Sequence, residues 1–331
     1  MSAVESALVK AYLTNVQLAL HQFDIPYAEV LLEHALDLMN QSLPPLPASP
    51  ALQFSLGTSL DAGTVRRGRP NEDAVFAATG CNVQTHETYA VAVVADGMGG
   101  HAQGQVASRL GITTIVDAVF PHVQQGHSHG AALGNVLVQA LRQANQRIYE
   151  RNQVQTDDQL CSQMGTTVTA ALVLGPSVCL ANVGDSRAYL YRPGVGLRAL
   201  TRDHSMVANL LAAGIIGPEE VYTHPERNLI TRCLGIASTV EIDLFYEQLQ
   251  DGDILLLCSD GVWEMTRDSA LEGVLSSSWL SAENMAERLM HLAFQGGGRD
   301  NIGLVVLQCQ MQMDQIQTLL FPLVDSAPIT G

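Results

Sequence analysis

The chain is poor in basic side chains. Lys and Arg number 17 against 33 Asp and Glu, a formal net charge of −16. A nonspecific nucleic-acid binder needs a basic footprint, and so does a protein that docks on anionic membranes; neither partner is expected. Charged residues of both signs make up only 15%. No block of like charge occurs, so the acidic excess reads as a solvated surface. No apolar run approaches the ~20 residues of a spanning helix. The first residues lack a charged stretch followed by an apolar one, so no secretory signal is expected. The six cysteines are scattered, without C-x-x-C or another zinc spacing. Cys179 and Cys258 fall in apolar runs, which points to buried free thiols in a reducing compartment, and a soluble cytoplasmic protein is the expectation. There is no G-x-x-x-x-G-K-[ST] loop and no kinase catalytic loop, and no cysteine sits in an obvious phosphate-cradling loop.

What is present begins with a large apolar fraction, 47% of 331 residues, enough for a sizeable core. In residues 1–42, Leu8, Val9, Tyr12, Leu13, Val16, Leu20 and Phe23 recur at helical spacing. After Pro26 a second set runs Ala28, Leu31, Leu32, Ala35, Leu36 and Met39. Two amphipathic helices are predicted, a helical N-terminal extension that either packs on the main body or serves as a docking or dimer surface. Residues 43–53 open with L-P-P-L-P-A-S-P, which cannot propagate a helix and reads as a linker.

From Phe54 the texture changes. Apolar runs at Val91–Ala95, Val168–Leu174, Val178–Val183, Ala188–Tyr191, Ile254–Cys258 and Leu304–Leu307 predict strands. Helical spacing marks 103–119, 131–150 and 283–294, with two further turns at Met206–Ala213. Several strands follow one another without intervening helices. That is an α+β pattern with antiparallel sheet, not a doubly wound one. A main domain over 54–310 and a frayed tail over 311–331 complete the expected organisation.

The run Y-A-V-A-V-V-A ends on Asp96 and is followed at once by G-M-G-G-H. One such Asp could simply open a tight turn. The pattern repeats, however. Asn71-Glu72-Asp73 forms one acidic cluster, and N-V-G-D-S-R places Asp185 after a strand. Asp260 follows Ile254–Cys258 in C-S-D-G, and Asp300 precedes Leu304–Leu307 in R-D-N-I. Carboxylates gathered at adjacent strand ends would repel and raise one another's pKa. Divalent cations are the natural compensation, and Mg2+ or Mn2+ fits best because no His/Cys ligand set is evident. Acids of this kind with arginines nearby (Arg66, Arg67, Arg69) suggest phosphoryl chemistry, in which two ions activate a water and screen the phosphate.

Seven motifs then carry a resemblance: N-E-D-A (71–74), A-D-G-M-G-G-H (95–101), M-G-T-T (164–167), V-G-D-S-R-A-Y (183–189), D-H-S (203–205), C-S-D-G-V-W-E (258–264) and G-G-R-D-N-I (297–302). In this order they resemble the metal-dependent protein phosphatases, the PPM or type-2C Ser/Thr phosphatases, in their bacterial form. The resemblance covers about residues 54–310. It implies a β-sandwich of two antiparallel sheets flanked by helices (α-β-β-α), with metals in a cleft at one end. It implies that Asp96 bridges two metals, that the Gly97 carbonyl serves the second, and that Asp260 and Asp300 complete the first. Glu72 and Asp73 would hold metal-bound waters, and Asp185 would join Asp260 in a weaker third site. Thr166, Thr167, Ser186 and Arg187 read as scaffold, and Asn301 as a structural neighbour of Asp300.

The resemblance further implies hydrolysis of phosphoserine and phosphothreonine in proteins by direct attack of a metal-bridging hydroxide, and a cognate Ser/Thr kinase as functional partner. Two departures stand out. The family's Arg three residues before the acidic motif is Gly68 here, leaving Arg66 or Arg69 to hold phosphate. The family's eukaryotic members place a His after the bridging Asp-Gly, where this chain has Met98; His101 lies three residues on. Residues 205–235 match the flap that borders the cleft, with His224 as a candidate substrate-side group. A phosphatase-like binding module without turnover and a phosphohydrolase of small metabolites are the competing functions.

Overall fold

The computed structural model describes residues 13–17, 28, 32, 52–82, 87–99, 103–125, 131–154 and 163–311. The predicted N-terminal helices fall mostly outside these residues, as do residues 43–51, His101 and the tail from 312. Of the extension, 13–17 are helical, and Val16 and Ala28 are buried against the main body.

Eleven strands are described: β1 (Leu52–Asp61), β2 (Asp73–Cys81), β3 (Thr88–Met98), β4 (Gly165–Thr166), β5 (Val168–Leu174), β6 (Ser177–Val183), β7 (Arg187–Arg192), β8 (Gly196–Ala199), β9 (Asp243–Gln248), β10 (Ile254–Cys258) and β11 (Ile302–Met311). The described helices of the main body are α1 (Gln103–Gln125), α2 (Ala131–Val154), α3 (Met206–Ala212), α4 (Asp260–Trp263), α5 (Asp268–Leu275) and α6 (Ala282–Gln295), with a 3-10 turn at Pro218–Tyr222. One sheet runs β1-β11-β10-β7-β8; the other runs β2-β3-β5-β6-β9, with β4 on β3. Every pairing is antiparallel. Helices lie outside both sheets, so the expected four-layer sandwich is present. β1 starts at Leu52, two residues inside the segment read as linker.

The continuous apolar runs follow from burial on both faces, because successive side chains of a strand point to opposite sides. On β3, Val91, Val93 and Ala95 pack under α1 and α2, while Ala90, Ala92 and Val94 face the other sheet. On β10, Ile254, Leu256 and Cys258 pack under α5 and α6, while Leu255 and Leu257 face inward. Each such leucine contributes roughly 1.5–3 kcal/mol by leaving water. Cys179 and Cys258 are buried free thiols.

The sandwich positions the acids through register. β2 begins where β3 ends, and Asp73 stands opposite Asp96 in the antiparallel ladder. β1 ends opposite the start of β11, Asp61 facing Ile302, so Asp300 arrives at the same end. β10 runs out of the core there too, delivering Asp260 as the first residue of α4.

The segment 205–235 holds α3 and the 3-10 turn, joined by further turns. Ser205 caps α3 by accepting from the Ala208 N–H at 3.2 Å. The returning limb pairs at Ser205–Ile230 and Thr166–Leu234. Val207 and Val221 anchor it in the core under α5 and α6.

Candidate metal centre

Asp96 is held from behind by its own backbone. Its N–H donates to Thr167 Oγ1 at 3.0 Å, and its carbonyl accepts from the Thr167 N–H at 2.8 Å and from Thr166 Oγ1 at 2.9 Å. Thr167 Oγ1 meets Ser186 Oγ at 2.7 Å, and Thr169 Oγ1 donates to the Ser186 carbonyl at 2.9 Å. The hydroxyls of M-G-T-T and D-S-R therefore knit strand ends together, as scaffold. Gly97 follows where the chain cannot carry a side chain. A Cβ there would lie 2.0 Å from the Gly104 carbonyl oxygen at the entry to α1. The Gly97 N–H donates to the Glu72 carbonyl at 3.0 Å, closing β3 onto the acidic motif.

The acids gather. The Asp73 side chain is buried, accepts from Ser259 Oγ at 2.6 Å and hydrogen-bonds to Asp96. Burial first, then the charge of Asp300, pushes the Asp73 carboxyl up to about 7 against the bonds that favour its ionised form. Asp96 opens a part of its surface to the cleft but is surrounded by protein. Burial, then the charges of Asp73, Asp260, Asp185 and Asp300, hold its carboxyl well above the carboxylate range. Asp260 is likewise held well above the carboxylate range, by burial and then by the charges of Asp185, Asp300 and Asp73. Asp185 is pushed up to about 7, chiefly by burial and then by Asp203. Two of these acids show an orphan: Asp260 Oδ1 and Asp185 Oδ1 are buried with no hydrogen-bond partner. A carboxylate oxygen left dry and unpaired is costly unless a cation or proton meets it.

Glu72 and Asp300 form the open side. Arg66 bridges them, Nη1 to Glu72 Oε2 at 3.0 Å and Nη2 to Asp300 Oδ2 at 2.8 Å. The Glu72 carboxyl is raised by burial, which outweighs Arg66 and the Gly104 N–H. Asn301 clamps the loop that carries Arg66, accepting from the Glu72 N–H at 2.8 Å and donating to the Ala62 carbonyl at 3.0 Å. Among the described residues, no three Asp, Glu, His or Cys side chains close into a finished ligand sphere; the guanidinium lies between two of the acids instead.

The two arginines left open by the sequence part company. Arg69 is exposed, while Arg66 reaches the acids. His224 lies in the flap, where its Nδ1 accepts from the Glu226 N–H at 3.1 Å. No contact brings it to the acids among the described residues.

Three residues absent from the sequence-based site belong beside it. Ser259 bonds Asp73 and also accepts from the Gly303 N–H at 3.0 Å. Glu264, raised by burial, adds like charge to Asp260 and Asp185 and stands 3.8 Å from Arg227 of the flap. Trp263 donates its indole N–H to the Asp185 carbonyl at 3.0 Å, while the Arg187 guanidinium stacks 3.5 Å over its ring. Arg187 in turn forks onto Asp203, with Nε to Oδ1 at 2.9 Å and Nη2 to Oδ2 at 2.7 Å. Ser259, Trp263 and Glu264 all lie in or beside the motif that carries Asp260, which was the available signal.

The sequence matches the family described as Protein phosphatase 2C over residues 62–292. The chain belongs to this family. A curated relative, the serine/threonine phosphatase stp of Listeria monocytogenes, is 34% identical over 248 residues, 75% of this chain and 93% of that one. PstP of Mycobacterium tuberculosis is 37% identical over 246 residues, 74% of this chain and 43% of its own length. A crystal structure of the PstP catalytic domain with two manganese ions is similar at a TM-score of 0.64 and 34% identity, covering 79% of this chain and all of that one (100%). A Streptococcus agalactiae serine/threonine phosphatase reaches a TM-score of 0.66 at 32% identity, covering 77% and 99%. The protein is thus a Ser/Thr phosphoprotein phosphatase of the 2C type found in bacteria, a metal-dependent hydrolase that acts on phosphorylated proteins. No described helix is long and apolar enough to cross a membrane.

Proposed function

We propose that this cleft hydrolyses phosphoserine and phosphothreonine with Mg2+ or Mn2+ held by Asp96, Asp260, Asp300 and the Gly97 carbonyl, with Asp73 and Glu72 accepting from coordinated waters. Asp185 and Asp260 share a weaker third position. One observation carries the reading: buried acids from both sheets converge, and Asp260 Oδ1 and Asp185 Oδ1 lack any partner. The donor set is all oxygen, which suits hard divalent ions. When bound, such a pair supplies a water of lowered pKa and screens phosphate charge.

The chain's own residues do the rest. Asp73 orients Asp96 from the neighbouring strand, and Ser259 fixes Asp73. Arg66, half-buried at the cleft mouth, offers a planar fork to the phosphate oxygens. Arg69 stands away from the acids, and His224 is bound up in its own loop, so neither is given a role in the reaction. Met98 has no proton to give the leaving oxygen, and His101 stands three residues further on. The catalytic domain is taken as 54–310 with its flap at 205–235, and residues 1–42 as an extension that either packs on the main body, as the burial of Val16 and Ala28 supports, or adds a surface for docking or dimerisation. The working setting is the cytoplasm, opposite a cognate Ser/Thr kinase.

Hydrolysis of a phosphothreonine peptide tests the reading. Activity should vanish on chelation and return with Mn2+. Asp96→Asn should lose at least about 100-fold in kcat, the scale of removing a central electrostatic stabiliser. Arg66→Ala should raise KM about tenfold, the worth of one charge-assisted contact, and Arg69→Ala should stay within about twofold. Activity that survives full chelation, or an unimpaired Asp96→Asn enzyme, would refute it.

A further inference from the structure

In the D-H-S stretch at 203–205, Asp203 is taken up by Arg187, and the histidine ties the turn before Asp185 to the limb returning from the flap. His204 is buried. On one side it is bound twice to Gly184, the residue before Asp185. The Gly184 N–H donates to His204 Nδ1 at 3.1 Å, and the His204 N–H donates to the Gly184 carbonyl at 2.9 Å. Gly184 has a φ of +109°, a conformation that L side chains rarely adopt. On the other side, His204 Nε2 stands 3.2 Å from Asp243 Oδ2. The His204 carbonyl accepts from the Thr231 N–H at 2.7 Å, on the limb that returns from the flap. Arg232 follows, with Nη1 2.9 Å from Asp243 Oδ1 and Nη2 2.8 Å from Glu241 Oε2.

These contacts decide the tautomer. A peptide N–H can only donate, so Nδ1 must accept and carries no proton in the neutral ring. The ring proton is therefore at Nε2, donated to Asp243. Arg232 Nη1 also lies 3.3 Å from Nε2. Two donors thus share the Asp243 carboxylate, one at each oxygen. Asp243 itself is fixed by the sheet, opposite Asn182 on β6.

We propose that His204 is a positioning residue for Asp185. With its proton held at Nε2 by Asp243, Nδ1 holds the Gly184 N–H and so sets where the next carboxylate stands relative to Asp260. The Asp185 carboxylate is bonded to its own backbone N–H, and its Oδ1 has no partner, so its aim follows the turn. The proposal rests on the reading of Asp185 as a ligand.

The test is calorimetric titration of the full chain with Mn2+, alongside thermal melts. His204→Asn can place Oδ1 near the Nδ1 position, keeping an acceptor for Gly184 and losing the arm to Asp243. His204→Gln reaches the Nε2 position and leaves the Gly184 N–H without its acceptor. Asp243→Asn probes the same bond from outside. Arg232 demands an oxygen on its side, so the new amide turns its NH2 to Nε2 and drives the ring proton to Nδ1, against Gly184. His204→Gln and Asp243→Asn should each weaken the weakest Mn2+-binding step about tenfold, the equivalent of one lost hydrogen bond. His204→Asn should stay within about threefold. Equal weakening in all three, or native binding in both His204→Gln and Asp243→Asn, overturns the proposal. Should His204→Gln not fold, Asp243→Asn, at a half-exposed site, carries the test with His204→Asn. Asp185→Asn separates the two readings. An unchanged titration there overturns Asp185 as a ligand; a changed one with native binding in His204→Gln and Asp243→Asn overturns the role of His204 alone.

Discussion

Stripped of metal, this phosphatase should become more stable as the solution is made mildly acidic, opposite to most folded proteins. Asp73 shows the magnitude. Its carboxyl is raised from 3.8 to about 7 in the fold, and it is fully surrounded by protein. A carboxyl with a folded pKa above its unfolded one takes up a proton on folding, so acid favours the folded state. The penalty is complete above about pH 7 and gone below about pH 4, and for this group alone it is worth about 4 kcal/mol. Asp96 and Asp260 are shifted in the same direction by the same neighbours, so their contributions overlap rather than add. Spread over a chain of this size, a few kcal/mol moves the melting temperature by on the order of 10 °C. The assay is differential scanning calorimetry of chelated protein between pH 7.5 and 5. With Mn2+ at saturation the trend should flatten or reverse, because the ions bind the deprotonated acids. A metal-free melting temperature that stays level or falls on acidification would refute the picture of uncompensated, converging carboxylates.

The same repulsion predicts that Asp260→Asn gains stability in the metal-free form, by about 1–3 kcal/mol, while losing activity; denaturant melts in chelator, run with the peptide assay, check both. Gly97→Ala should cost about 1–3 kcal/mol or more by overpacking, since its Cβ would lie 2.0 Å from the Gly104 carbonyl oxygen, and should weaken Mn2+ binding; a melt and a titration read these.

The buried strands were readable because both faces of β3, β5, β6 and β10 are apolar, which leaves continuous runs in the sequence. On β1 and β9 the large apolar side chains are only partly buried and are interspersed with exposed residues, which gave no comparable signal. α2 extends to Val154, past 150, because its last turn is polar and breaks the apolar rhythm; α1 extends past 119 to Gln125 across Pro121, a residue that normally ends a helix. Asp96, Asp185, Asp260 and Asp300 were legible for a related reason: each lies in a motif beside a strand that could itself be recognised, whereas Glu72 and Asp73 stood out only as an acidic cluster, because β2 was not among the predicted strands. The links among Arg187, Asp203 and Trp263, or between His204 and Gly184, were not. They join segments from 16 to about 80 residues apart through a few hydrogen bonds or ring contacts, and such bonds leave no periodicity. The choice between Arg66 and Arg69 also needed three dimensions, because it turns on which way a short loop faces once Asn301 has clamped its ends.

The pairing of β1 with β11 has a consequence for the life of the chain. The first strand of the sandwich waits for the last: Ser55 bonds Gln308, 253 residues further on. During synthesis β1 therefore emerges long before its neighbour exists, and Asp300 lies just ahead of that final strand. Asp73 and Asp96 can already face each other in an early hairpin, but the acids of the other sheet join them only when the sandwich closes. A truncated or half-made chain carries most of the motifs and none of the assembled cleft, so phosphate hydrolysis begins only once the whole domain has been translated.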